Sequence, residues 1–90
     1  MTATAYCLHG TTATGTQTRI GVAASKPEHF GRVCLVFEDI GGEPGECLGV
    51  FVVEDTGGAP IRDGHVIDLW METYDECIAF GKKKVIVRFI

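Results

Sequence analysis

Apolar and polar residues alternate with a period of two over short runs of this chain, the pattern of half-buried strands. Residues 2–8 alternate around β-branched and aromatic positions, and residues 19–24 follow a loop rich in Thr and Gly. Residues 32–38 (RVCLVFE) and 47–54 (CLGVFVVE) give the strongest strand patterns, joined by the turn-rich IGGEPGE. Residues 64–70 make another short strand, and residues 82–90 close the chain with charged and apolar positions in alternation. One stretch has helical spacing instead. Tyr74, Cys77, Ile78 and Gly81 fall at i, i+3, i+4 and i+7, with Thr73 or Glu72 as the cap and Gly81 as the stop. Lys82, Lys83 and Lys84 then lie at the helix's negative end, most simply as a solvated face. Six short strands with one short helix near the C-terminus predict an all-β, closed barrel rather than an open sheet. No internal repeat or linker interrupts the chain, so residues 1–90 are expected to form one domain.

Composition narrows the function classes. With 46% hydrophobic and 22% charged residues, the chain has the make-up of a globular domain and not of a disordered tail or a collagen-like fibre. A net charge of −4 leaves no basic excess to neutralise phosphates, which argues against nucleic acid as a partner. Uncharged runs are short and broken by Gly and Thr, so no membrane span is expected. The opening MTATAYC has neither a basic nor an apolar leader segment. The expectation is a cytoplasmic product or a mature domain cut from an exported protein.

The four cysteines, Cys7, Cys34, Cys47 and Cys77, contain no close C-x-x-C pair, which disfavours a structural zinc site. If residues 32–38 fold back on residues 47–54, Cys34 and Cys47 are symmetric about the turn and a disulfide between them is one outcome. The other is four free thiols acting as small hydrophobes. His9, His29 and His65 share no spacing that gathers them on one element, so each reads as a surface or packing residue. With Ser25 as the only serine and no G-x-S-x-G, a serine hydrolase is excluded as a working idea. Gly57-Gly58 does not read as a phosphate loop, since no helix start is expected after it.

The densest cluster of reactive residue types lies in residues 54–70, EDTGGAPIRDGHVIDLW. Asp55 ends an apolar strand and enters a Thr-Gly-Gly turn, where Asp is common for local reasons. Asp68 sits inside V-I-D-L-W, where a carboxylate is a poor strand former. Alternation puts Val66, Asp68 and Trp70 on one face and Ile67 and Leu69 on the other. An acid beside a Trp on a concave face suits sugar contact, with burial raising its pKa toward general-acid work. A solvent-facing strand Asp and a turn Asp remain the plain alternative.

The order T-A-T-A-Y-C, T-T-A-T-G-T, V-V-E-D-T-G-G-A, H-V-I-D-L-W and E-C-I-A-F-G-K-K-K-V-I-V resembles the three-aspartate domain, from Thr2 to Ile90. That domain is similar to the catalytic part of the membrane-bound lytic transglycosylase A family. The resemblance implies a six-stranded double-psi β-barrel and cleavage of the β-1,4 bond between N-acetylmuramic acid and N-acetylglucosamine in peptidoglycan, leaving a 1,6-anhydro end. It places Asp68 on the acid/base aspartate and Asp55 on the aspartate that supports it. Thr12 and Thr14 fall on the segment lining the glycan groove, and Gly57 and Gly58 on the loop passing close to the sugar. Trp70 would contact the glycan. No cofactor or metal is implied, and peptidoglycan strands are the partner, met in the cell wall if the chain is exported, or otherwise by a phage-delivered or cytoplasmic protein. Two features depart from the family pattern. Ser25, in A-A-S-K-P, stands where the family carries its first aspartate, and the segment from Asp55 to Asp68 is longer, with Pro60 and Asp63 in it. A non-catalytic glycan-binding barrel is the rival from another class; an expansin-like or barwin-like wall module shares the barrel, but D-T-G-G-A and A-F-G-K-K-K argue against it.

Overall fold

β1 (Thr2–Tyr6), β2 (Val22–Ala24), β3 (Val33–Ile40), β4 (Glu43–Asp55), β5 (Val66–Trp70) and β6 (Lys83–Phe89) close into a single ring in the order β1-β5-β2-β4-β3-β6. The computed structural model describes all residues, Met1–Ile90. Two pairs are parallel, β1 with β5 and β2 with β4, and the remaining four neighbours run antiparallel. The mostly-β, six-stranded ring expected from the alternation is therefore present. Closure leaves no open sheet edge between these strands.

Inside the ring lie Ala3, Ala23, Cys34, Val36, Ile67, Leu69 and Val85, with Phe51, Phe80, Val87 and Phe89 packed against them. The core is built of small and β-branched residues, which suits strands that cross close together. On β5 it takes Ile67 and Leu69, leaving Asp68 on the opposite face, as the alternation required.

Two helices accompany the sheet rather than one. α1 (Ala59–Arg62) directly follows Gly58, which acts as its N-cap, and so corrects the expectation that no helix starts after Gly57-Gly58. It is a single turn with Pro60 in its first positions, too short to leave a periodic signal. α2 (Tyr74–Phe80) is the helix expected near the C-terminus. Thr73 caps it by accepting from the Glu76 amide, and Gly81 ends it at φ 64°. No helix is long and apolar enough to cross a membrane.

The Cys34–Cys47 disulfide is not formed, and the register explains why. The hairpin turns on Gly41 and Gly42 alone, at φ 59° and 90°, the backbone of a type I′ turn, with Ile40 facing Glu43. Glu43, Pro44 and Gly45 thus belong to β4 and not to a long loop. Two irregularities between Val36 and Asp39 shift the ladder further, so that Cys34 faces Phe51 and Cys47 faces Phe37. Cys34 is buried and Cys47 exposed, and all four thiols are free. Burial pushes the Cys34 thiol up to about 11.

Candidate active site

β2 is the hinge of the site. Its last residue, Ala24, faces Asp68 of β5 on one side and Asp55 of β4 on the other, while Thr4 of β1 faces Asp68 from beyond. Thr4, Asp68, Ala24 and Asp55 therefore form one row across four neighbouring strands. Two strand spacings of ~4.8 Å put the two aspartate backbones roughly 10 Å apart. Ala24 carries only a methyl group, and residues with longer side chains there would stand between the two carboxylates.

Asp68 is half-buried. The Thr4 hydroxyl donates to its Oδ1 at 2.8 Å. Burial holds the carboxyl above its ordinary value, the Thr4 hydrogen bond pulls it back down, and the charge of Asp55 adds a smaller upward push. The net effect is upward, so the acid keeps its proton to higher pH than a free aspartate.

Asp55 has a different setting. Its Oδ1 accepts from the amides of Ala13 and Thr56, both at 3.0 Å, and its Oδ2 accepts from the Tyr6 hydroxyl at 3.1 Å. It thus ties three segments together: the loop after β1, the turn after β4, and the outer face of β1. Burial raises the Tyr6 hydroxyl far above its ordinary range, with Asp55 and then Asp68 adding to the shift. Tyr6 therefore stays a hydrogen-bond donor, lying within the field of both carboxylates.

The Thr-rich loop at residues 11–16 is locked from its other end by Glu54. Arg19 reaches Glu54 with two bonds, Nη1–Oε1 at 2.7 Å and Nη2–Oε2 at 3.0 Å, and the Thr16 hydroxyl donates to the same carboxylate at 2.6 Å. The Arg19 hydrogen bond, followed by that of Thr16, holds the Glu54 carboxyl below its ordinary value. Within the loop, Thr12 is buried, with its hydroxyl 2.7 Å from that of Thr16 and 3.2 Å from that of Thr14. Thr12 is thus a buried loop residue and not a groove-lining one, which corrects its expected role. Thr14 is exposed beside it, its amide bonded to the Glu54 carbonyl at 3.2 Å.

Trp70 is a second correction. It is only 5% exposed, its indole N–H donates to the Leu8 carbonyl at 2.8 Å, and the His9 ring meets it edge-on at 5.2 Å. A sugar needs an open ring face, and the segment after β1 covers this one. Gly57 and Gly58 also differ from each other. A Cβ on Gly57 would come within 2.9 Å of the Ile61 side chain, whereas one on Gly58 would meet nothing within 4 Å. Gly57 thus serves the fit of α1, and the Gly58 carbonyl accepts from the Ile61 and Arg62 amides at 3.0 and 2.9 Å. Between them and Asp55, the Thr56 hydroxyl is buried with no hydrogen-bond partner.

The residues brought together are Asp68, Asp55 and exposed Thr14, joined by Thr4, Tyr6, Glu54 and Arg19. Those last four carried a weak signal. Thr4 and Tyr6 share one parity of β1, so their common face follows from alternation, but only the parallel β1–β5 pairing sets it against Asp68. Ser25 is buried next to the row, its amide bonded to the Asp55 carbonyl at 3.0 Å. No enclosed cavity surrounds these groups. No three His, Cys, Asp or Glu side chains converge as a set that would hold a metal ion. Compared with known proteins, the chain matches no family model and no curated protein.

Proposed function

We propose that this domain is a peptidoglycan lytic transglycosylase of the three-aspartate kind, built on a double-psi β-barrel. The two parallel pairs, β1–β5 and β2–β4, interleaved in one closed ring, support that finer reading of the fold. The observation that carries the functional reading is Asp68: a half-buried carboxyl on an otherwise apolar strand, held above its ordinary value by burial and touched by one hydroxyl donor.

In the proposed reaction, protonated Asp68 donates to the glycosidic oxygen as the bond to C1 of N-acetylmuramic acid breaks through an oxocarbenium-like state. The carboxylate so formed takes the proton of the muramoyl 6-hydroxyl, whose oxygen closes on C1. The Thr4 hydroxyl steadies the carboxylate between the two steps. An intramolecular nucleophile makes a second catalytic carboxylate unnecessary. Asp55 acts as a positioning residue, holding Tyr6 and the loop that presents Thr14.

The second reading, a glycan-binding barrel without turnover, draws on Ser25, which stands where the family pattern has a carboxylate. Digestion of purified peptidoglycan followed by mass analysis of the released muropeptides separates the two. Products with 1,6-anhydro ends are expected. Reducing ends would make the protein a hydrolase, and binding without release would make it a binder.

A further inference from the structure

Two of the four cysteines lie on segments that pack against each other, and they are not the pair that sequence symmetry would select. The chain leaving β1 is tied alongside the chain leaving β5 by three bonds: Met71 amide to Tyr6 carbonyl at 2.8 Å, Trp70 indole to Leu8 carbonyl at 2.8 Å, and His9 Nε2 to Glu72 carbonyl at 3.0 Å. Cys7 lies in the first of these strips. α2 begins just beyond the second and packs over β1, and the Cys77 amide bonds back to the Thr73 carbonyl at 3.2 Å, one turn into the helix. Cys77 is half-buried on the side of α2 that packs on β1, and Cys7, just past the end of β1, is half-buried too.

α2 is held to the barrel at few points, with Phe80 at its end packed against the core. None of its residues is fully buried, and Tyr74 and Ile78 are 68% and 62% exposed. Only Cys77 and Phe80 are half-buried. A seven-residue helix is too short to persist without packing.

We propose that Cys7 and Cys77 form a disulfide that staples α2 to the end of β1. The oxidant is a small-molecule disulfide acting by exchange. One protein thiolate attacks a sulfur of that disulfide, forming a mixed disulfide and expelling one thiolate. The second protein thiolate then attacks the protein sulfur of the mixed disulfide and expels the other. Two protein thiols lose two electrons and two protons in total, and the small disulfide becomes two thiols. Burial, and then the neighbouring Cys7, raise the Cys77 thiol, so exchange is faster as the pH is raised. Cys34 cannot compete, being fully buried, and Cys47 is remote from it in the ladder.

The test is equilibration of the full chain with oxidised glutathione, alkylation of remaining thiols after unfolding, and tryptic mapping without reduction. Cys7 falls in peptide 1–19, Cys77 in peptide 63–82, and Cys34 and Cys47 together in peptide 33–62. The expected result is loss of two thiols, a link between peptides 1–19 and 63–82, and a Tm raised by ~10 °C that reduction reverses. Cys77→Ser should remove both the link and the oxidant-dependent Tm shift. Four alkylated thiols, separate glutathione adducts on Cys7 and Cys77, a link involving peptide 33–62, or a link with no change in Tm would each overturn the proposal. None of these readouts uses peptidoglycan, so their failure is distinct from a failure of the proposed activity.

Discussion

Asp68 and Asp55 lie on strands either side of Ala24, yet their surroundings differ in kind. Asp68 accepts from a single hydroxyl and is raised by burial, whereas Asp55 accepts from two amides and a phenol. A carboxylate with three donors is committed to holding structure. A carboxyl with one donor and a partly desolvated environment keeps capacity for a proton. The difference assigns the acid to one position and the scaffold to the other without invoking any third carboxylate.

The sharpest way to break that division is to neutralise each aspartate in turn. Asp68→Asn retains an oxygen that accepts from Thr4 but loses the proton donor, so release of 1,6-anhydro muropeptides should fall ~10²–10⁴-fold. Its stability follows a separate sign. Because the folded Asp68 lies above its unfolded value, its contribution to stability is present at low pH and is lost as pH rises through the raised folded value. Asp68→Asn should therefore flatten that dependence and be no less stable than wild type at neutral pH, measured by urea unfolding across pH. A variant that loses stability and activity together would make Asp68 a structural residue.

Asp55→Ala strips three donors of their acceptor and should cost ~2–3 kcal/mol, at about 1 kcal/mol per bond. Asp55→Asn keeps an acceptor for the Ala13 and Thr56 amides and should fold normally. Removing the neighbouring charge lowers Asp68, so in a pH–rate profile the protonated, active form should be lost at lower pH than in wild type. An unshifted profile would reduce Asp55 to its turn.

Two smaller substitutions sharpen the contrast. Thr56→Val replaces a buried hydroxyl that has no partner, so chemical unfolding should show it neutral to ~1 kcal/mol more stable. A loss of more than that would mean the hydroxyl has a partner in solution. Thr4→Val removes the one contact that lowers Asp68 and should move the falling limb of the pH–rate profile slightly upward.

The strand pattern was legible because the core takes alternate residues: Ile67 and Leu69 inward, Asp68 outward. The helix was legible because Thr73 and Gly81 are chemically committed to its two ends. Register was not. Seven consecutive turn-prone residues read as a long loop, but Gly41 and Gly42 alone reverse the chain, and the irregularities near Phe37 carry no mark in the sequence. The choice left open in the sequence, between a Cys34–Cys47 disulfide and free thiols, is decided by that register. Trp70 was misread for another reason. Alternation places it beside Asp68, but the segment that covers it comes from residues 8 and 9, more than sixty positions away, and no local pattern reports such a lid. Thr12 likewise turns inward through bonds to Thr14 and Thr16 that depend on the loop's closure by Glu54 and Arg19.

The site works only if Asp68 still holds its proton where an ordinary aspartate has lost it. Titration of the side-chain carboxyl carbons by NMR, with Asp68 assigned by its absence from Asp68→Asn, measures this directly. The expected result is a midpoint for Asp68 above the ordinary aspartate range, moving down in Asp55→Asn and up in Thr4→Val. A midpoint at or below the ordinary value would contradict the assignment of Asp68 as the acid.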